Sequence, residues 1–151
     1  MTLQNIGVIG AGTMGNGIAQ VCALAGFNVT LIDISEGALQ KAVATVNKNL
    51  DRQVSKNTLT HEQKLAALDR IRTSTEYHSL QNAQLVIEAA TENLDLKLRV
   101  LQQIAAQVSA ECVIASNTSS LSITQLAASV SQPERFIGLH FFNPVPVMGL
   151  I

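Results

Sequence analysis

Apolar positions along this chain fall into short dense runs separated by stretches with a helical period. The runs lie near 5–10, 28–33, 84–89, 112–116 and 136–141, with Ile6, Val8 and Ile9 heading the series and Leu85-Val86-Ile87-Glu88 the clearest run of the second half. Their length and β-branched content predict strands buried on both faces of a parallel sheet. Between the first two runs, Ile18, Val21, Cys22 and Ala25 recur at helical spacing, and Gly26 is placed to end that helix in the left-handed conformation. Asn93 to Ala110 repeats the helical pattern, with Leu94, Leu98, Leu101 and Ile104 on its inner face. Between Ser35 and Arg70 the alternation is interrupted. Ala38, Leu39, Ala42, Val46 and Leu50 mark one long helix, and Thr60-His61-Glu62-Gln63 has the form of a capping box opening another. Ile71 to Thr75 reads as a short additional strand. The whole chain, residues 1–151, reads as one α/β domain with a predominantly parallel sheet and a helical excursion after the second strand.

The junction of the first strand and first helix carries Gly10-Ala11-Gly12-Thr13-Met14-Gly15, and the second strand ends in Asp33. A glycine motif that follows a strand, opens a helix and precedes a strand-terminal acid has the context of a dinucleotide fingerprint. Gly10 allows the tight turn, Gly12 lets backbone approach a pyrophosphate, and Gly15 lets the helix pack close to the strand. The amides of Thr13, Met14 and Gly15 stand at the positive end of the helix. Asp33 accepts hydrogen bonds from ribose hydroxyls and repels a 2′-phosphate, so the expected cofactor is NAD, on a Rossmann-type doubly wound fold. The competing reading is a glycine turn with no nucleotide.

Composition narrows the partners. A net charge of −1 and 3% aromatic residues leave neither the basic footprint nor the stacking surface of a nucleic-acid binder. No apolar run reaches the ~20 residues that span a bilayer, and the chain enters its first strand without a basic leader, so no membrane partner and a cytoplasmic location are expected. Two cysteines, Cys22 and Cys112, are too sparse for a disulfide framework or a zinc site and read as buried free thiols.

Two further motifs stand in the second half: Ala115-Ser116-Asn117-Thr118-Ser119-Ser120-Leu121 and Gly138-Leu139-His140-Phe141-Phe142-Asn143-Pro144-Val145-Pro146. With the glycine turn and Asp33 they resemble the NAD-binding domain of the L-3-hydroxyacyl-CoA dehydrogenases, including the bacterial 3-hydroxybutyryl-CoA dehydrogenases, over nearly the whole chain. Chemistry supports the likeness. Oxidising a secondary alcohol needs a base for the hydroxyl proton, and His140 follows a strand whose carboxyl end is where open α/β sheets bind ligands. From spacing alone, His140 reads equally well as a core histidine tied to backbone. The resemblance makes His140 the catalytic base and Ser119 the group that orients the substrate oxygen. It places Glu92, Lys97, Asn117, Ser119 and Asn143 against NAD, and Lys56 near the CoA phosphates with Arg52 one turn before it. On residue type alone, Ser119 is an ordinary loop or cap residue, Glu92 a helix-start carboxylate, and Arg52 and Lys56 a solvated face. A further CoA position falls on Asn49, where some members carry serine. His61 and His78 receive no catalytic role.

The family pattern continues beyond Ile151 into a glutamate that pairs with the catalytic histidine and a helical domain that closes the acyl site and forms a homodimer. The chain is therefore expected to be the N-terminal, NAD-binding portion of a protein that oxidises (S)-3-hydroxyacyl-CoA, to bind NAD, and to be inactive alone. Two other functions fit the glycine turn and Asp33: a dehydrogenase of free β-hydroxy acids or sugar acids, and a non-catalytic, crystallin-like NAD-binding protein.

Overall fold

The computed structural model describes residues 3–90, 93–117 and 136–139, with backbone only for Leu94, Asn117 and 136–139. All the expected strands form, as β1 (Asn5–Ile9), β2 (Asn28–Ile32), β3 (Ile71–Ser74), β4 (Leu85–Glu88), β5 (Val113–Asn117) and β6 (Phe136–Leu139). They make one six-stranded sheet in the order β3-β2-β1-β4-β5-β6, and every neighbouring pair is parallel. The order reverses between β1 and β4. That break is the switch point at which doubly wound sheets open a ligand crevice at their carboxyl edge.

Alternation along the strands feeds two cores. Ile6, Val8, Val29, Leu31 and Ile87 face α1 (Thr13–Leu24) and α2 (Glu36–Ser55), where Ile18, Cys22, Leu39, Val46 and Leu50 meet them. Ile9, Ile32, Val86 and Ile114 face the opposite layer, built from Leu101 and Ile104 of α4 (Leu94–Gln107) and from Leu80 of a 3₁₀ turn at Tyr77–Leu80. Both faces of the sheet are thus covered, as the unbroken apolar runs require. One expected core position is not in the core: Ala25 is exposed. It is the C-cap of α1, where the chain turns at Gly26 (φ 102°) away from the packed face, and the stripe runs instead through Ile18, Ala19, Cys22 and Ala23.

The excursion after β2 is two helices, α2 and α3 (His61–Arg70), packed on α1. Ser35 caps α2 by accepting from the Ala38 amide at 3.1 Å. Thr60 and Gln63 form the expected reciprocal box at the start of α3, with bonds of 2.9 and 3.1 Å. Arg70, at the end of α3, donates to the Ala23 carbonyl at 2.8 Å and ties the excursion to the end of α1. Cys22 and Cys112 are free and buried, and burial pushes each thiol up to about 11. Among the described residues no helix is long and apolar enough to cross a membrane, and no cluster of His, Cys, Asp and Glu has the makings of a metal site.

Candidate functional site

At the carboxyl end of β1 the edge is built from backbone rather than side chains. Gly10 has φ 105° and donates its amide to the Ile32 carbonyl at 2.7 Å. A Cβ on Gly10 would stand 2.7 Å from Ala90 Cα, and one on Gly15 would stand 1.6 Å from the Gly10 carbonyl oxygen. Both glycines are therefore dictated by close packing of turn, helix and the loop after β4. Gly12 is different. A Cβ there would meet nothing within 4 Å, so the space above it is open. Gly12 is also the N-cap of α1, with no side-chain cap bond and no acid in the first turn, which leaves the amides of Thr13, Met14 and Gly15 to serve an anion.

Asp33 follows β2 and points back to that turn. Its Oδ2 accepts from the Ala11 amide and its Oδ1 from the Ser35 amide, each at 2.9 Å. The carboxylate is held in place, half-buried, with lone pairs left for further donors. Open space over Gly12, uncapped amides and a fixed carboxylate beside them fit a pyrophosphate followed by a ribose with two free hydroxyls. A 2′-phosphate would meet the Asp33 charge. Tyr77 packs against the core layer of Leu80, Leu101 and Ile104: burial raises its phenol pKa, and the Asp33 and Glu88 charges raise it further.

Across the switch point the edge is built from ions. Glu88, the last residue of β4, is 0% exposed and Lys97 of α4 is 1% exposed, their charged atoms 2.6 Å apart. Ser116 Oγ, also buried, donates to the same Glu88 oxygen at 2.7 Å, and the other oxygen accepts from the Ala90 amide at 2.8 Å. The structure thus puts the Lys97 ammonium on Glu88 inside the domain. Glu88 and Ser116 had no role in the sequence reading. Their signal was present, since Lys97 falls among Leu94, Leu98, Leu101 and Ile104 on the inner stripe, and a cation there demands a buried partner.

Asn117 ends β5 and pairs in register with Leu139, the last residue of β6, so both strands lead the chain to the edge that carries the glycine turn. His140, Ser119, Asn143 and Glu92 lie outside the described residues. On the far side of the glycine turn, a cleft of about 490 Å³ runs between α1 and α2, lined by Gly12, Asn16, Lys41, Thr45 and Asn49. Asn49 Nδ2 donates to Gln20 Oε1 at 3.2 Å. Thr45, Asn49, Arg52 and Lys56 follow one another at helical spacing, so exposed Arg52 and Lys56 extend this stripe toward the end of α2. A hollow of about 380 Å³ beside Asn5, Asn28 and Arg72 lies at the opposite, amino edge of the sheet, away from the crevice.

Fold and edge together define a Rossmann-type dinucleotide-binding domain. Comparison with known proteins assigns it further: residues 5–151 match the family described as "3-hydroxyacyl-CoA dehydrogenase, NAD binding domain", and the chain belongs to that family, with NAD as its cofactor. It is 50% identical over 149 residues to a 3-hydroxybutyryl-CoA dehydrogenase of Bradyrhizobium diazoefficiens, covering 99% of this chain and 51% of that protein. It is 44% identical to the 3-hydroxyadipyl-CoA dehydrogenase of Escherichia coli K12, covering all of this chain and 32% of that protein. The crystal structure of (S)-3-hydroxybutyryl-CoA dehydrogenase from Ralstonia eutropha superposes with a TM-score of 0.94 at 57% identity, covering 97% of this chain and 52% of that one. The chain thus spans about half the length, or less, of these relatives.

Proposed function

We propose that this chain is the NAD-binding half of an (S)-3-hydroxyacyl-CoA dehydrogenase whose substrate is 3-hydroxybutyryl-CoA. The observation that carries the reading is the cleft that begins at Gly12 and follows α2, because its polar stripe through Asn49 is continued by two cations, Arg52 and Lys56. A phosphorylated carrier fits such a stripe, whereas a free hydroxy acid would have no use for it. The glycine turn and Asp33 hold the cofactor beside it.

When bound, NAD supplies the hydride acceptor. The chain's own residues supply the rest. His140 takes the hydroxyl proton, Ser119 hydrogen-bonds the substrate oxygen, and Glu92, Asn117 and Asn143 complete the nicotinamide side, while Lys97 is buried on Glu88 behind it. β6 ends with Leu139 at the carboxyl edge, and His140 is the next residue in the sequence, which supports this role. A further helical domain would close the acyl site and form a homodimer, in a cytoplasmic enzyme. Without it this chain binds NAD but turns over poorly, since misplacement of reacting groups by ~1 Å costs roughly 100-fold in rate.

The test is an assay of the full-length protein with NAD and either 3-hydroxybutyryl-CoA or free 3-hydroxybutyrate. The reading expects turnover of the thioester, with kcat lowered about 10²–10⁴-fold in His140→Ala. Equal use of the free acid, or an unimpaired His140→Ala, would contradict it.

A further inference from the structure

A buried carboxylate that takes bonds from three separate segments fixes those segments relative to one another. Glu88 does this at the switch point. One oxygen holds Lys97 of α4 at 2.6 Å and Ser116 of β5 at 2.7 Å, and the other holds the Ala90 amide, in the loop after its own strand, at 2.8 Å. That loop is the surface against which the glycine turn closes, for it is Ala89 and Ala90 that a Cβ on Gly10 would strike. The Ala89 amide also donates to the Ile9 carbonyl at 2.8 Å. Ser116 is the residue before Asn117, from which the chain runs on to Ser119. One carboxylate therefore touches, through Ala90, the backing of the glycine turn and, through Ser116, the root of the segment that bears Asn117 and Ser119.

The ion pair is costly as a device for stability alone. Desolvating both charges consumes most of what their attraction returns, and an apolar pair of the same volume serves a core as well or better. What the pair gives here is geometry. An ammonium and a hydroxyl on one oxygen and a backbone amide on the other fix the rotation of the carboxylate, and the carboxylate ties their segments together.

We infer that Glu88, Lys97 and Ser116 form a positioning cluster that sets the backing of the cofactor-bearing turn and the end of β5 in register across the switch point. Glu88 and Ser116 act through the backbone they hold. The inference rests on the dehydrogenase reading for its second half and on NAD binding alone for its first, and two variants separate these arms. Glu88→Gln keeps an acceptor for Lys97 and Ser116 but turns an amide donor toward the Ala90 N–H, freeing the loop behind Gly10. NAD affinity of this chain, measured calorimetrically, is expected to fall about tenfold with the circular dichroism spectrum unchanged. Ser116→Ala releases only the β5 arm. In the full-length protein, kcat is expected to fall about tenfold at saturating substrates, with the KM for acyl-CoA within about twofold and the melting temperature little altered.

A purely structural role would lower the melting temperature and leave kcat and NAD affinity of the folded protein unchanged, and that result would overturn the inference. Should Glu88→Gln fail to fold, Ser116→Ala decides, because it removes a hydroxyl and leaves the ion pair intact. A wild-type protein that binds no NAD and oxidises no thioester would instead refute the functional reading itself.

Discussion

The two halves of the sheet solve one problem by different means. β1-α1-β2 and β4-α4-β5 are the same strand–helix–strand unit, and each builds part of the carboxyl edge, where doubly wound sheets bind ligands. The first half does so by removing side chains. Gly10 and Gly15 let turn, helix and neighbouring loop interpenetrate, Gly12 leaves space, and a single carboxylate, Asp33, is pinned by two amides at 2.9 Å. The second half does so by adding charge, with Glu88 and Lys97 nearly sealed from water and Ser116 beside them. Backbone recognition suits the part of a dinucleotide that is constant. A cross-linked carboxylate suits an edge that must hold several segments at fixed distances.

The largest expected effect breaks the first half from within. Gly15→Ala places a Cβ where 1.6 Å separates it from the Gly10 oxygen, and is expected to cost about 3 kcal/mol or more of stability in urea denaturation. Gly12→Ala, in the same motif, meets nothing within 4 Å; it is expected to change stability by about 1 kcal/mol or less while weakening NAD binding at least about tenfold. If both variants lost stability equally, the division between a packing glycine and a ligand glycine would be wrong.

A smaller effect sharpens the comparison by supplying a background common to both halves. Cys22 lies in the first half and Cys112 in the second, and burial raises each thiol from 9.0 to about 11. Above pH 9 the unfolded chain ionises these thiols while the folded chain keeps them protonated. The unfolded state then binds fewer protons, so stability is full below pH 9 and declines as the pH rises toward 11. For Cys22 the loss is at most about 2–3 kcal/mol. Urea denaturation at pH 8 and pH 11 is expected to show a shallower decline in Cys22→Ala than in the wild type. An identical decline in both would remove the thiol from the account.

What could be read from the sequence follows the same division. Glycines, the period of apolar positions and the Thr60–Gln63 box act over a few residues, so the turn, Asp33, the strands and the helical excursion were all legible, down to the additional edge strand at Ile71–Ser74. The ion cluster was not. Glu88 and Lys97 are joined only when α4 turns one position of its apolar stripe onto the end of β4, and Ser116 arrives from a third segment. Gln20 and Asn49 are a further example, brought together by the packing of α1 on α2. Ala25 shows the converse, since helical spacing alone carried the stripe one step past the point where the helix is capped.

The central claim is that the first half is a cradle for NAD in which Asp33 reads the ribose. Calorimetric titration of the chain with NAD and with NADP, repeated on Asp33→Ala, tests it most directly. The account predicts NAD bound at least about tenfold more tightly than NADP, with the variant losing affinity for NAD and most of that preference. Equal affinity for the two cofactors, or an Asp33→Ala chain that binds NAD as tightly as the wild type, would contradict it.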